Sequence, residues 1–216
     1  MPAPRRLVNI TLDTLDDLPR ACRSCVYWEL GPAAAERAYQ DGDPALQKEA
    51  WISDMLLEWG SCGKIAYVDG VPAGYVLFAP PAYVPRAVSF PTSPPAADAV
   101  LLITARVLPA FAGLGLGRML VQGAARDVVR RGVKAIEAFG RHGGTAADDE
   151  PNAAGRGPCV LPADYLLAVG FKTVRPHPRY PRLRLDIKSL ATWKEDVESA
   201  LERLLTTVSP TALSRG

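Results

Sequence analysis

The chain has 216 residues, of which 48% are hydrophobic and 22% charged, and its formal net charge is +2. This length and composition predict one large domain with a core of its own rather than a disordered chain. A net charge so close to zero gives no support to nucleic-acid binding, and no run of about 18 apolar residues is present to span a membrane. The opening stretch "MPAPRRLVNITLDTLDD" has no apolar run typical of a signal peptide, so we expect a cytoplasmic protein.

The N-terminal quarter is predicted to hold one strand and two helical segments. Residues 5–12 alternate in polarity and predict the strand, and residues 14–30 predict a helical segment that Pro19 interrupts. A further helix is expected to begin with Asp43 as N-cap, with a proline at its first position, and to end at Gly60.

The middle of the chain predicts a parallel strand–helix–strand unit. Residues 64–80 predict two strands that an Asp-Gly turn joins as a hairpin, and the proline-rich residues 80–97 predict a long loop. Residues 98–108 form a nearly continuous apolar run, which is typical of a central strand. After a glycine-rich stretch, residues 119–132 predict a helix and residues 133–140 another strand, so these two strands are expected to run parallel.

The C-terminal third begins with a long segment that has no hydrophobic period. Residues 140–161 predict a loop, residues 162–169 a short helix, and residues 171–177 and 182–187 two further strands. Residues 192–208 predict a last helix, in which Thr192 and Glu195 form a capping box and Trp193, Val197, Leu201, Leu204 and Val208 form an apolar stripe.

Four cysteines occur in the chain, and two of them, Cys22 and Cys25, have the CxxC spacing of zinc and redox sites. A zinc site needs further ligands at a recognisable spacing, and none follows. A redox pair would be expected beside a βαβ unit, which this part of the sequence does not predict. We therefore interpret Cys22 and Cys25 as half-buried thiols on an N-terminal helix.

The stretch "RVLPAFAGLGLGRML" places Gly113, Gly115 and Gly117 between a predicted strand and a predicted helix. Such a turn offers backbone N–H groups and the positive end of a helix dipole, which together bind phosphate. A P-loop would need Lys-Ser/Thr after the glycines, and a dinucleotide loop would need a third glycine where Arg118 or Leu120 stands. A pyrophosphate-binding loop of the coenzyme A type is the alternative that remains.

The residues Val107-x-Pro109-x-Phe111-x-Gly113-x-Gly115-x-Gly117-Arg118 resemble motif A of the GNAT family of acyl-CoA-dependent N-acyltransferases. The upstream hairpin with "AGYVLF" and the downstream "YLLAVGFKTV" resemble neighbouring elements of the same family, so the resemblance covers about residues 5–188. It implies an α/β (α+β) GNAT fold, with a mixed central sheet of about six to seven strands flanked by helices and an extra C-terminal helix.

The resemblance also implies a division of the chain into an acetyltransferase domain, residues 1–188, and a C-terminal helical extension, residues 189–216. An isolated helix as short as the predicted one is marginal in water, so its stripe is expected to pack on its own domain or on a partner subunit. A monomer and a homodimer both remain open.

By resemblance, the chain uses acetyl-CoA as acyl donor, needs no metal, and transfers the acetyl group to the primary amine of a small molecule or peptide by direct attack in a ternary complex. The backbone near Arg106 would bind pantetheine and the thioester carbonyl, and the amides after Gly113 would bind the pyrophosphate. Ala112 replaces the family's Arg or Gln, so the loop depends on its backbone amides. The implied cofactor-binding residues are Arg106, Val107, Leu108, Ala112, Gly113, Leu114, Gly115, Leu116, Gly117 and Arg118.

The candidate catalytic residues are Tyr165, as an acid for the departing thiolate, and Glu137, as a base for the amine. Tyr165 lies one residue earlier than the family's tyrosine, and the predicted central strand has no glutamate. Asp164, His142 and a water chain remain alternative bases. These departures also leave open a non-catalytic acyl-CoA-binding regulatory module on the same fold.

Overall fold

The computed structural model describes residues 4–143 and 159–187, which form one mixed sheet flanked by helices. The strand order is β1-β2-β3-β4-β5-β8-β7, and β6 pairs with β5. The pairs β4–β5 and β5–β6 are parallel and the others antiparallel, which confirms the predicted mixed α/β sheet. The strands are β1 (Arg5–Asn9), β2 (Gly63–Val68), β3 (Val71–Ala79), β4 (Ala99–Val107), β5 (Ala135–Arg141), β6 (Leu161–Pro162), β7 (Lys172–Arg175) and β8 (Arg182–Asp186).

Two turn signals of the sequence lie where they were predicted. In the β2–β3 hairpin, Asp69 and Gly70 both have positive φ, at 51° and 80°, as a two-residue hairpin turn requires. The 15-residue helix that follows Asp43 has proline at its first position, and Gly60 just beyond its end has a φ of +81°. The helices are α1 (Arg20–Arg23), α2 (Pro32–Asp41), α3 (Pro44–Glu58), α4 (Leu116–Arg130) and α5 (Ala163–Ala168).

The N-terminal segment differs from the prediction. Residues 14–30 contain only the end of a 3-10 turn, Leu12–Asp17, and the single helical turn of α1. Pro19 separates the two, and the helical run is interrupted there because proline lacks the N–H that would continue a helix. No helix was predicted at α2, whose buried residues are the small side chains of Ala35 and Ala38.

Apolar side chains cover both faces of the sheet. On one face, Leu101 of β4 belongs to a core that includes Met55 of α3. On the other face, Leu102 belongs to a core with Leu120 and Val128 of α4. The sheet therefore separates an N-terminal helical layer from a layer that contains α4 and α5.

The parallel strands β4 and β5 are paired over a short distance only. Their register joins Ala99, Val100 and Leu101 to β5, and the rest of β4 has no strand partner on that side among the described residues. Leu77 of β3 pairs with Thr104 and Phe78 with Leu102, so Ile103 is the extra residue of a β-bulge.

The bulge changes which side chains of β4 lie on which face. Because cross-strand partners share a face, Thr104 and Arg106 lie on the face of their partners Leu77 and Tyr75, towards the N-terminal helices. Val107 lies on the α4 face. Beside the gap between β4 and β5, the side chains of β4 therefore lie on both faces of the sheet.

Three features predicted from the sequence lie outside the described residues: the C-terminal extension 189–216, the capped helix 192–208 within it, and most of the loop 140–161. No described helix has both the length and the hydropathy needed to cross a bilayer.

Candidate active site

A cavity of about 500 Å3 opens where β4 and β5 diverge. Its walls are the end of β4, the turn 109–115, the first residues of α4, the segment 159–162 and one side chain of α5. Most of the predicted cofactor residues line it: Arg106, Val107, Ala112, Gly113, Gly115, Leu116 and Gly117. The sequence-predicted loop and the end of the central strand therefore do form one site.

The three glycines of the loop serve two different purposes. Gly113 and Gly115 have φ values of +76° and +74°, in the left-handed region that side chains disfavour, and a Cβ on either would contact nothing within 4 Å. At Gly117 the reason is space, since a Cβ there would lie 3.0 Å from Cε2 of Tyr165. Two glycines thus shape the turn, and the third admits the tyrosine ring.

The N-terminus of α4 opens on this cavity. Gly115 is its N-cap, and the N–H groups of a first helical turn have no partner within the helix. These donors and the positive end of the helix dipole favour bound phosphate groups. Gly115, Leu116 and Gly117 line the cavity, so the turn fits the pyrophosphate of coenzyme A.

The open edge of β4 provides a second set of backbone groups. Val107 pairs with Gly74 of β3, and the Leu108 N–H donates to the Ala73 carbonyl at 2.8 Å, so Leu108 is engaged on the β3 side and does not line the cavity. The backbone groups of Ala105 and Val107, which alternate with those bonded to β3, face the gap. An extended ligand with amide groups, such as pantetheine, can bind such an edge as an added strand would.

Leu114 and Arg118 hold the loop in place rather than lining the cavity. The Leu114 carbonyl accepts a hydrogen bond from Nη1 of Arg5 at 2.8 Å. Nη2 of Arg118 donates to the Ala168 carbonyl, at the end of α5, at 3.2 Å. The loop is therefore tied to β1 on one side and to α5 on the other.

Tyr165 of α5 lies on the wall of the cavity beside the loop. Its hydroxyl donates to the Gly117 carbonyl at 3.2 Å. Burial raises the pKa of Tyr165 to about 12, so the phenol is protonated at neutral pH. The structure therefore places the protonated hydroxyl of Tyr165 beside the glycine loop.

Glu137, the other predicted catalytic residue, lies in β5 within an ion-pair network. Its carboxylate is 3.1 Å from Nη1 of Arg182 and 3.4 Å from Nη1 of Arg184, and it accepts a hydrogen bond from the Ala96 N–H at 3.0 Å. Glu137 is 1% exposed and does not line the cavity. This geometry supports a structural role and gives its predicted role as a base no support.

The cysteines are arranged differently from the prediction. Cys22 and Cys25 are buried, at 3% and 5% exposed, rather than half-buried, and Cys25 lies beyond the end of α1. Cys159, a distant residue of the chain, lines the cavity. Sγ of Cys159 is 3.8 Å from Oγ1 of Thr104. No group of three or more metal-ligating side chains occurs in the described part of the chain.

Comparisons with known proteins identify the family of the chain and its fold. The sequence model of the acetyltransferase (GNAT) family matches residues 23–151. Among solved structures, the PaiA N-acetyltransferase of Thermoplasma acidophilum in complex with coenzyme A has a TM-score of 0.52 and 11% identity, over 85% of this chain and 99% of that chain. YncA of Salmonella typhimurium with acetyl-CoA has a TM-score of 0.51 and 16% identity, over 86% of this chain and 95% of that chain.

An acetyltransferase of Thermus thermophilus is also similar, with a TM-score of 0.51 and 14% identity over 86% of this chain and 99% of that chain. At such identities the likeness shows a shared fold. No curated protein matches the sequence. The family match, however, spans more than half of the chain, and it includes the strand, the glycine loop and the helix that build the cavity. The chain therefore belongs to the GNAT family of acetyltransferases.

Proposed function

We propose that this protein is an acetyl-CoA-dependent N-acetyltransferase that acts on a primary amine by direct attack in a ternary complex. One observation carries the proposal: the N-terminus of α4, the open edge of β4 and Tyr165 all line a single cavity. The neighbours with coenzyme A and acetyl-CoA support the choice of donor. A cytoplasmic location, with its acetyl-CoA, is part of the proposal.

Each part of the cavity has a role in this proposal. The amides from Gly113 to Arg118 bind the pyrophosphate, and the open edge of β4 at Ala105 and Val107 aligns the pantetheine and the thioester. Tyr165, protonated at neutral pH, donates a proton to the departing thiolate. The amine approaches from the face of the sheet that packs against the N-terminal helices α1, α2 and α3, because the glycine loop and α4 occupy the opposite face.

Two measurements test the proposal in sequence. Calorimetry should detect saturable binding of acetyl-CoA, and an amine screen that follows free thiol should find turnover with at least one primary amine. Absence of binding to acetyl-CoA, coenzyme A and longer acyl-CoAs would refute the assignment of the donor. Polyamines, amino acids, aminoglycosides and peptide N-termini are suitable acceptors for the screen.

A non-catalytic acyl-CoA-binding module is the second candidate. It is favoured by the absence of Asp, Glu and His from the described residues that line the cavity, and by Ala112 at the family's Arg or Gln position. Binding of acetyl-CoA does not separate the two candidates. Thiol release with any amine rules out the module, and binding without turnover across the whole panel favours it.

A further inference from the structure

The glycine loop lies at an end of the cavity that has little positive charge of its own. Among the described residues that line the cavity, the one cation is Arg106, whose side chain lies on the face of the sheet opposite α4. Ala112 stands where the family has arginine or glutamine, so the loop adds no cation before Arg118. Coenzyme A carries a pyrophosphate and, on its ribose, a 3′-phosphate monoester with a charge of about −1.5 to −2 at pH 7. A cation from another element is therefore expected near this end of the ligand.

Arg5 of β1 brings a guanidinium group to this loop. Arg5 pairs with Val68 of β2, so their side chains share a face. Val68 belongs to the same small core as Leu116, the first residue of α4. Nη1 of Arg5 donates to the Leu114 carbonyl at 2.8 Å, one residue before the N-cap Gly115. The exposed Arg5 side chain thus lies beside the end of α4 that is proposed to bind pyrophosphate.

The Arg5 side chain has both charge and donors to offer a phosphate group. A guanidinium carries five N–H donors in a planar fork, and the bond to Leu114 engages Nη1. Arg182 and Arg184 each form an ion pair with a carboxylate, whereas Arg5 has no carboxylate partner in the part of the chain that the structure describes. Arginine–phosphate pairs are frequently bidentate and are among the stronger hydrogen bonds of proteins. The charge of Arg5 is therefore not neutralised by the described residues.

The contact of Arg5 with the loop lies outside the cavity wall. Gly113 and Gly115 line the cavity, whereas Leu114 between them does not, and Arg5 contacts the loop at Leu114. In the proposed arrangement, pantetheine occupies the gap between β4 and β5, and the pyrophosphate binds the loop amides. The adenosine end of the ligand then continues past the loop to the outside. The phosphate group nearest to Arg5 is therefore the 3′-phosphate of the ribose.

Arg118 is another cation attached to the loop, and its surroundings suit an anion less well. Its Nη2 donates to the carbonyl of Ala168, the last residue of α5. The last carbonyl groups of a helix have no partner within the helix and form the negative end of its dipole. Arg5, in contrast, lies beside the positive end of α4. The electrostatic setting therefore favours Arg5 as the partner of the 3′-phosphate.

We propose that Arg5 binds the 3′-phosphate of coenzyme A. The site thereby selects coenzyme A thioesters over acyl groups on a pantetheine that lacks this phosphate. The proposal rests on the proposed function, from which it takes the donor and its orientation. Arg5 binds the donor and takes no part in the transfer of the acetyl group.

The test compares coenzyme A with 3′-dephospho-coenzyme A by calorimetry at low ionic strength, where charge pairs are least screened. The wild-type protein should bind coenzyme A at least about 5-fold more tightly than the dephospho form, as expected for one hydrogen bond to a charged group. Arg5→Gln should bring the ratio of the two Kd values close to 1, mainly because it weakens the binding of coenzyme A. Arg5→Lys keeps the charge and should retain part of the preference.

Arg6→Gln is the matched control. Arg6 is also exposed and follows Arg5 on the same strand, but it lies on the other face, where its guanidinium is 4.6 Å from the centroid of the Tyr67 ring. The substitution removes the same charge from the same strand and should leave the ratio at the wild-type value. Arg118→Gln should also leave the ratio unchanged, because its loss affects both ligands alike.

The ratio separates recognition of the 3′-phosphate from support of the loop. Loss of the Arg5–Leu114 bond alone would weaken both ligands by the same factor, so an unchanged ratio in Arg5→Gln overturns the proposal. A wild-type ratio near 1 overturns it without any variant, and so does a preference that Arg118→Gln or Arg6→Gln removes and Arg5→Gln does not. If the wild type binds neither ligand, the proposed donor is refuted and this inference with it. Binding of coenzyme A with a ratio that does not depend on Arg5 refutes this inference alone.

Discussion

Substitution of Gly115 by valine should weaken acetyl-CoA binding through the backbone of the loop. Gly115 has a φ of +74°, and a Cβ there would contact nothing within 4 Å, so the cost is conformational rather than steric. The left-handed conformation costs an L-residue about 1–2 kcal/mol, and a β-branched residue is a stronger outlier. If the free loop relaxes and binding must restore the turn, this cost raises the Kd for acetyl-CoA by about 5–30-fold.

Gly42→Val is the matched control for this variant. Gly42 follows α2 with a φ of +81° and also has no atom within 4 Å of an added Cβ. It should lower the free energy of unfolding by up to about 1–2 kcal/mol while the Kd for acetyl-CoA stays at the wild-type value. Calorimetry gives the Kd, and urea unfolding gives the stability. If Gly115→Val folds and binds acetyl-CoA as tightly as the wild type, the assignment of the loop is wrong.

Further predictions concern the tyrosine, the buried ion pair and the C-terminus. Gly117→Ala should displace the Tyr165 ring, which an added Cβ would meet at 3.0 Å, and lower kcat more than it weakens acetyl-CoA binding; equal effects on both would contradict this. Because the pKa of Tyr165 is raised to about 12, the acid stays protonated as pH rises, and kcat should show no tyrosine-dependent fall below about pH 10; Tyr165→Phe should lower kcat at every pH tested. Lys48→Met should cost about 3–5 kcal/mol in urea unfolding because it leaves Glu29 charged and buried, and a loss below 1 kcal/mol would show that the pair is not buried in solution. Removal of residues 189–216, followed by sizing, should give a soluble monomer from a dimeric parent if the last helix forms an interface, and aggregation of a formerly monomeric protein if it packs on its own domain.

Local signals predicted the parts of the fold that depend on neighbouring residues. The Asp69–Gly70 turn, the boundaries of α3 and the glycines of the cofactor loop depend on φ preferences that each residue has by itself. Periodicity predicted α4 because most of its buried apolar side chains, among them Leu120, Ala124 and Val128, belong to one core. The same reasoning missed α2, which buries alanines, and overextended the helix interrupted by Pro19.

The candidate site, too, was predicted in part from local sequence signals and decided in part by tertiary contacts. The sequence by itself determined the glycine turn that we propose binds pyrophosphate, because glycines at alternate positions between a strand and a helix specify both the backbone shape and an open helix N-terminus. The tertiary structure alone decided the fate of Glu137, whose register in the sheet places it opposite Arg184 of β8. It also decided that Cys22 and Cys25 are buried rather than half-buried, with Cys25 beyond the end of α1, because burial depends on how the N-terminal segment packs on the sheet. Backbone preferences act within a few residues, whereas side-chain partners depend on strand register and packing, and a single sequence does not reveal these.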